Sequence, residues 1–389
     1  MKGPTVTTSQ QLSADLLTQE QEGIIEDFHV RPSATPVPET DRLSLLTKPQ
    51  FGTVFTDHMA RISWESQQGW VDHRIVPYGP LSLDPATAVL HYGQEVFEGL
   101  KAYRHEDGTI WAFRPDHNAA RLARSAHRLA LPALPVDDFM AAIAALVRID
   151  AQWVPSTADS SLYLRPFMFA SEPFLGVRPS QEAEFLVIAS PAGSYFAQGI
   201  KPVSIWVDTQ YHRAAPGGTG AAKCGGNYAA SLLPQQIAAG QGFDQVCYLD
   251  GDMGQLGHEQ YLEELGGMNL FIVMANGEVH TPRLTGSILE GITRESIIEL
   301  ASDRGRTVVE RRISITELAQ GLASGSIAEI FACGTAAVIT PVGRMASDTF
   351  DHEVGDGQAG VLTMALREEL TGIQYGRIPD RHQWLTRIC

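Results

Sequence analysis

Among 389 residues there are only five lysines, Lys2, Lys48, Lys101, Lys201 and Lys223, so chemistry that needs a nucleophilic amine has few places to reside. Lys2 lies in a polar tail, Lys48 and Lys201 each precede a proline, and Lys101 sits in the apolar run FEGLKAY, which reads as a strand. Lys223 stands in GGTGAAKCGGNYAAS, where small residues on both sides let a bulky planar group approach the amine just ahead of a helical pattern. A lysine in such a pocket can have a lowered pKa and form a Schiff base with a carbonyl. The loop by itself fits a solvated surface lysine equally well. Spacing argues against two rival chemistries. A P-loop wants glycine before the lysine and Ser or Thr after it, whereas Ala222 and Cys224 occupy those places. The HEQYL run at His258 lacks the second histidine of HExxH, and Cys224, Cys247, Cys333 and Cys389 are scattered without a CxxC pair, so no metal is expected.

The elements that must position such a lysine can be read from pattern. The length suggests two domains, hence a cleft between them. Residues 1–50 are polar and rich in Pro, Thr and Ser, which predicts an extended arm without a core of its own. Residues 51–190 read as a small α/β domain: short alternating runs such as RISWESQQGWVDHRIVPYG, helical patterns at HNAARLARSAHRLALP and DDFMAAIAALVRIDAQWV, then strands at SLYLRPFMFA and EAEFLVIASP. The Gly- and Pro-containing stretch 191–203 is the expected interdomain linker, and 204–389 a larger α/β domain that carries Lys223. The fold class expected is therefore mixed α/β (α+β), with no internal repeat.

Composition narrows the function classes. Hydrophobic residues make up 44% and charged residues 19%, which suits a globular chain. Twenty-nine Lys and Arg against 45 Asp and Glu give a formal charge of −16, so bulk attraction to nucleic acid or to an anionic membrane is not expected. The first residues show no signal-peptide or transit pattern, and charge interrupts every apolar run before a membrane span is reached, so a soluble protein of the reducing cytoplasm is expected.

Five segments in order, LHYGQEVFEGLKAYR, SLYLRPFMFASEPFLGV, AAKCGGNYAASLLPQ, EELGGMN and GTAAVITPVG, resemble branched-chain amino acid aminotransferases, which are fold-type IV pyridoxal-phosphate enzymes. The resemblance runs from about Phe51 to the C-terminus. It implies pyridoxal 5'-phosphate as cofactor, an active site in the cleft between two domains, and transfer of an amino group between leucine, isoleucine or valine and 2-oxoglutarate. Lys223 takes the place of the family's Schiff-base lysine and proton shuttle. Glu264 matches the carboxylate beside the pyridine nitrogen, with Glu263 next to it read as a solvated acid. Arg121, Ile292, Thr293 and Thr335 match the phosphate-binding positions, and Tyr228 the partner of the cofactor's phenolic oxygen. For substrate, the resemblance implies Tyr92, Phe97, Tyr163 and Arg165, with backbone amides of Thr335 and Ala336 for the α-carboxylate. Tyr92, Leu175 and Val177 would reach the neighbouring subunit's site, which implies a homodimer. EELGGMN and SLYLRP argue against two relatives of the same fold type, the D-amino acid aminotransferases and the aminodeoxychorismate lyases. The stretch DMGQLGHEQYL upstream of Glu264 is expected to be a surface insertion.

Overall fold

The computed structural model describes residues 23–193, 200–250 and 259–389, so most of the expected insertion and the middle of the expected linker lie outside the described residues. Alternating β-branched and aromatic residues, bounded by turn residues, form two sheets. The strands of the first are β1 (Gly23–Ile25), β2 (Phe28–Val30), β3 (His58–Glu65), β4 (Gly69–Pro77), β5 (Glu95–Phe97), β6 (Leu100–Arg104), β7 (Ile110–Phe113), β8 (Ser161–Ala170) and β9 (Glu182–Ala192). Those of the second are β10 (Val203–Asp208), β11 (Gln245–Leu249), β12 (Leu262–Leu265), β13 (Met268–Met274), β14 (Val279–Pro282), β15 (Val308–Arg311), β16 (Ile327–Gly334), β17 (Val338–Ala346) and β18 (Asp351–Glu353). A last strand, β19 (Leu385–Arg387), returns to the edge of the first sheet beside β7.

The first sheet runs β1-β2-β4-β3-β9-β8-β6-β7-β19, with β5 paired to β8. The second runs β12-β11-β10-β17-β16-β13-β14-β15, with β18 paired to β17. Helices are α1 (Glu39–Thr47), α2 (Val89–Tyr92), α3 (Pro115–Arg128), α4 (Val136–Ile149), α5 (Gly225–Gly240), α6 (Ile292–Asp303), α7 (Ile315–Ser324) and α8 (Val361–Gln374). Apolar faces of α3 and α4 close over the first sheet, burying Leu122, Phe139 and Leu146 against Ile62 and Phe185. The second sheet is covered on one face by α6 and α8 and on the other by α7. Tyr103, Phe113 and Trp384 share a cluster with Leu300, Phe331 and Leu366, so one apolar core spans both halves.

Two features bear on domain extent. Residues 28–47 have no core of their own, since α1 buries no residue, but they are not extended throughout: Phe28 is buried in the core of the first half, β2 pairs with β4, and α1 follows. The connecting stretch is fastened by polar anchors, since Ser33 N–H donates to His58 Nε2 at 2.9 Å and Val37 N–H to Asp57 Oδ1 at 2.8 Å. The C-terminal residues likewise belong to the first sheet, because Leu385 pairs with Phe113. The short apolar segments involved are satisfied only by a sheet edge distant in sequence.

Candidate active site

Lys223 stands where the two halves meet. Its own peptide groups are held by the first half: Phe97 N–H donates to the Lys223 carbonyl at 2.9 Å, and Lys223 N–H to Ser125 Oγ at 2.9 Å. The residues after it open α5, and the Glu95 carboxylate accepts the Gly225 N–H, holding the start of that helix against β5. The loop before it must lie flat on the 287–291 segment: a Cβ on Gly220 would overlap the Ser287 carbonyl oxygen and stand 2.5 Å from Ala214 Cβ. Only glycine allows that approach.

The lysine side chain ends in a cavity of about 260 Å³, lined in part by Phe97, Tyr163, Arg165, Tyr228, Thr335 and Ala336. Lys223 Nζ donates to Tyr228 Oη at 2.7 Å and lies 4.8 Å from the Phe97 ring centroid and 5.1 Å from that of Tyr228. Burial, then the nearby Arg121 charge, pulls the lysine down to about 8, with Glu98 opposing. The amine is therefore deprotonated in a useful fraction of molecules near neutral pH. Tyr228 is pushed up to about 12, by burial and then by the Glu264 charge, and stays a neutral phenol. Another cavity, of about 290 Å³, is lined in part by Leu81, Asp84, Phe169 and Leu186, but its Arg61 and Glu184 are bonded to each other at 2.7 Å and it contains no lysine.

EELGGMN proves to be a clamp on the loop that leads into α6. Glu264 Oε1 accepts the Leu289 N–H at 2.7 Å, and its Oε2 lies 3.1 Å from Arg213 Nε. Asn269 Nδ2 donates to the Leu289 carbonyl at 3.0 Å. Burial raises the Glu264 carboxyl above its usual range, against Arg213 and the Leu289 N–H, which pull it down. Glu263 corrects an expectation: it is buried, 3% exposed, and accepts the Ser287 hydroxyl. Successive residues of a strand face opposite sides, so two adjacent acids can both be buried only because each finds its own partner. Arg213, which no sequence motif singles out, donates to the Ser287 carbonyl at 2.5 Å as well as pairing with Glu264.

The expected phosphate-binding residues are brought together in part. Ile292 and Thr293 open α6, and its cap, Gly291, has no side chain to occupy the first amides, which leaves them available to an anion. These two and Thr335 line a small void of about 20 Å³ that shares Gly99 and Thr335 with the lysine cavity. Arg121 lies behind them and is already engaged. Its Nε and Nη2 donate to the two oxygens of Glu98 at 2.7 and 2.8 Å, and its Nη1 to the Glu290 carbonyl at 3.0 Å. Asn118 Nδ2 adds a bond to Glu98 at 2.7 Å. Glu98 is a residue that the sequence reading misses; the available signal is one acid inside the apolar run FEGLKAY, because such a group is buried only with a partner.

On the substrate side, Arg165 projects from β8 over the Phe97 ring at 4.8 Å, and its Nη2 donates to Tyr163 Oη at 3.0 Å. Its Nε is buried without a partner in this structure. Gly99 leaves the room that Tyr163 fills, since a Cβ there would overlap the tyrosine oxygen. Thr335 and Ala336 lie in the turn between β16 and β17, followed by Val338 at φ +62°, a left-handed conformation that a β-branched residue rarely adopts. Tyr92, Leu175 and Val177 do not line this cavity; they are 44%, 66% and 93% exposed on the surface of the chain.

These groups fit a pyridoxal phosphate: a buried amine of lowered pKa, a phenol beside it, a buried carboxylate, and a helix start facing a void. The comparisons with known proteins agree. Residues 95–345 match the family described as Amino-transferase class IV. The branched-chain-amino-acid aminotransferase of Mycolicibacterium smegmatis is 52% identical over 366 residues, covering 93% of this chain and 98% of that protein. The probable branched-chain-amino-acid aminotransferase of Streptomyces coelicolor is 52% identical over 363 residues, covering 93% of this chain and 99% of that one. Among solved structures, the Escherichia coli branched-chain amino acid aminotransferase superposes with TM-score 0.69 at 31% identity over 85% of this chain and 100% of that one. The Thermobaculum terrenum branched-chain amino acid aminotransferase in its PLP-form gives 0.67 at 25% identity, over 86% and 98%. By its sequence, its two-sheet mixed α/β fold and the lysine at the junction of the sheets, the chain belongs to the class IV aminotransferases, which are pyridoxal-phosphate-dependent enzymes of fold type IV.

Proposed function

We propose that this enzyme reversibly transfers the amino group between L-leucine, L-isoleucine or L-valine and 2-oxoglutarate, by a ping-pong reaction in one cavity. The observation that carries the reading is that the Lys223 cavity combines apolar aromatic walls with one further cation, Arg165. Phe97, Tyr163 and Tyr228 suit a branched apolar side chain, and Arg165, with a spare Nε–H, suits the second carboxylate of glutamate. One pocket then serves both half-reactions. The relatives named above as branched-chain enzymes support the same substrate class.

Pyridoxal phosphate, when bound, supplies a carbonyl for the substrate amine and an electron sink for the bond that breaks at the α-carbon. Lys223 holds the cofactor and, once released, moves the α-proton with a neutral amine, which its lowered pKa provides. Glu264 presents a negative charge to the ring nitrogen, and Arg213 holds that carboxylate in place. Tyr228 donates toward the cofactor's phenolic oxygen. The α6 amides of Ile292 and Thr293, the Thr335 side chain and the remaining N–H groups of Arg121 take the phosphate. Thr335 and Ala336 amides take the substrate's α-carboxylate.

A homodimer is part of this reading: Tyr92, Leu175 and Val177 are exposed and away from their own chain's cavity, so they are free to complete a neighbour's site. Among the described residues no helix is long and apolar enough to cross a membrane, and the proposed compartment is the cytoplasm. The test is the visible spectrum of the purified holoenzyme with and without L-leucine. A band that leucine bleaches with release of the 2-oxo acid, and that Lys223→Ala lacks together with turnover, is expected. Turnover by the alanine variant would overturn the assignment.

A further inference from the structure

The Thr335–Ala337 turn is gripped from behind by two cations. Lys101, on β6, donates from Nζ to the Ala336 carbonyl at 2.8 Å. Arg367, on α8, donates from Nη1 to the Ala337 and Ile339 carbonyls, each at 2.8 Å. Lys101 is not a wall of the Lys223 cavity; it lines a neighbouring cavity of about 250 Å³ together with Phe51, Tyr163 and Ala336. Tyr163 and Ala336 are the partition between the two.

We propose that Lys101 is a positioning residue for recognition of the substrate's α-carboxylate: with Arg367 it anchors the carbonyls at the far end of the turn, which directs the Ala337 amide and so holds the adjoining Thr335 and Ala336 amides toward the Lys223 cavity. The inference rests on the transaminase reading of that cavity. Three observations carry it. First, a peptide is planar and trans, so a bond that fixes the Ala336 carbonyl also fixes the direction of the Ala337 N–H, the next amide of the turn after those of Thr335 and Ala336, and Ala337 lines the Lys223 cavity with them. Second, the turn needs holding, because Val338 sits at φ +62°, and such strain persists only where the surroundings over-determine it. Third, a cation on a carbonyl oxygen polarises its amide and strengthens it as a donor to an anion. Burial and then the Arg367 charge pull Lys101 down to about 8.

The test uses holoenzyme and 4-methylvaleric acid, a leucine-sized acid with no amino group, titrated by its effect on the visible band of the bound cofactor. Lys101→Met is expected to weaken the acid about tenfold or more. It should raise KM for leucine and for 2-oxo acids far more than it lowers kcat. Lys101→Arg is expected to restore affinity, and Lys101→Gln, which keeps a donor without the charge, serves where the apolar variant fails to fold. Unchanged affinity in the neutral variants, or an arginine variant as weak as they are, would overturn the inference while wild type still responds to leucine. A wild-type spectrum indifferent to leucine would overturn the transaminase reading instead, and this inference with it.

Discussion

Glu98 and Arg121 form a two-pronged ion pair, 2.7 and 2.8 Å, inside the protein directly behind the proposed phosphate site. Burial alone would raise the glutamate and lower the arginine, but their mutual attraction wins in both: Glu98 is held below its usual range and Arg121 above its own. The pair fixes which N–H groups of the guanidinium remain for an anion. Glu98→Gln would leave a buried arginine charge uncompensated, at a cost of about 3–5 kcal/mol. A lower melting temperature and weaker cofactor retention are expected together. Because the folded Glu98 value is depressed, its contribution is present above the unfolded value of about 4.3 and is lost as pH falls through the folded one. In acid titrations followed by circular dichroism, wild type should lose this stabilisation below that window. The glutamine variant, which lacks it at neutral pH already, should show a shallower dependence there.

Lys223 provides a second prediction. With its amine at about 8, the neutral and reactive form grows as pH rises through that value. Covalent capture of pyridoxal phosphate by the cofactor-free protein should accelerate between about pH 7 and 9 and level off above, within the range set by the lowered value. Stopped-flow absorbance measures this directly. A rate without that rise would mean the lysine is not the nucleophile.

Glu264→Gln keeps an acceptor for the Leu289 N–H but removes the charge that Arg213 faces. The expected result is cofactor still bound with kcat lowered about 100-fold or more, the scale of losing one charge-stabilising group. Steady-state kinetics with leucine and 2-oxoglutarate would show it. Because burial raises the folded Glu264 value, wild-type activity should fall on the acid side at a pH above the ordinary glutamate range. That limb should disappear in the variant.

Gly220→Ala tests the packing of the lysine loop. The added methyl would overlap a backbone oxygen, so the loop must move away from Ser287. A loss of about 1–3 kcal/mol in stability is expected from the overpacking, measurable by chemical denaturation. Arg213, whose bond to the Ser287 carbonyl spans the same gap, should lose its hold, and cofactor occupancy should drop in the purified protein.

Local pattern carries much of the fold. SLYLRPFMFA is a short, nearly continuous apolar run and is β8, a strand buried on both faces, and the periodic stretch after Pro135 is α4, whose apolar spacing matches the face it buries. Residues 28–47 are not legible in this way: β2 is three residues long, and its burial depends on β4, far along the chain. The residues proposed for the site divide similarly. Lys223, Tyr228 and Glu264 stand out through their motifs, whereas Arg213 and Glu98 do not, since a charged residue in a loop or strand carries no sign of the partner it will meet.

The sequence by itself determined the chemistry available: one lysine among five with small neighbours, a pair of acids in EELGGMN, and a resemblance spread over five segments in order. Tertiary structure decided which of those groups work together. It set Glu264 against Arg213, gave Glu263 to Ser287, engaged Arg121 with Glu98, and placed Lys101 behind the Ala336 carbonyl. The physical reason is that a side chain's type is local, but its burial and charge environment come from segments brought beside it by folding. Those surroundings set whether a lysine amine is protonated and whether a buried carboxylate is paired.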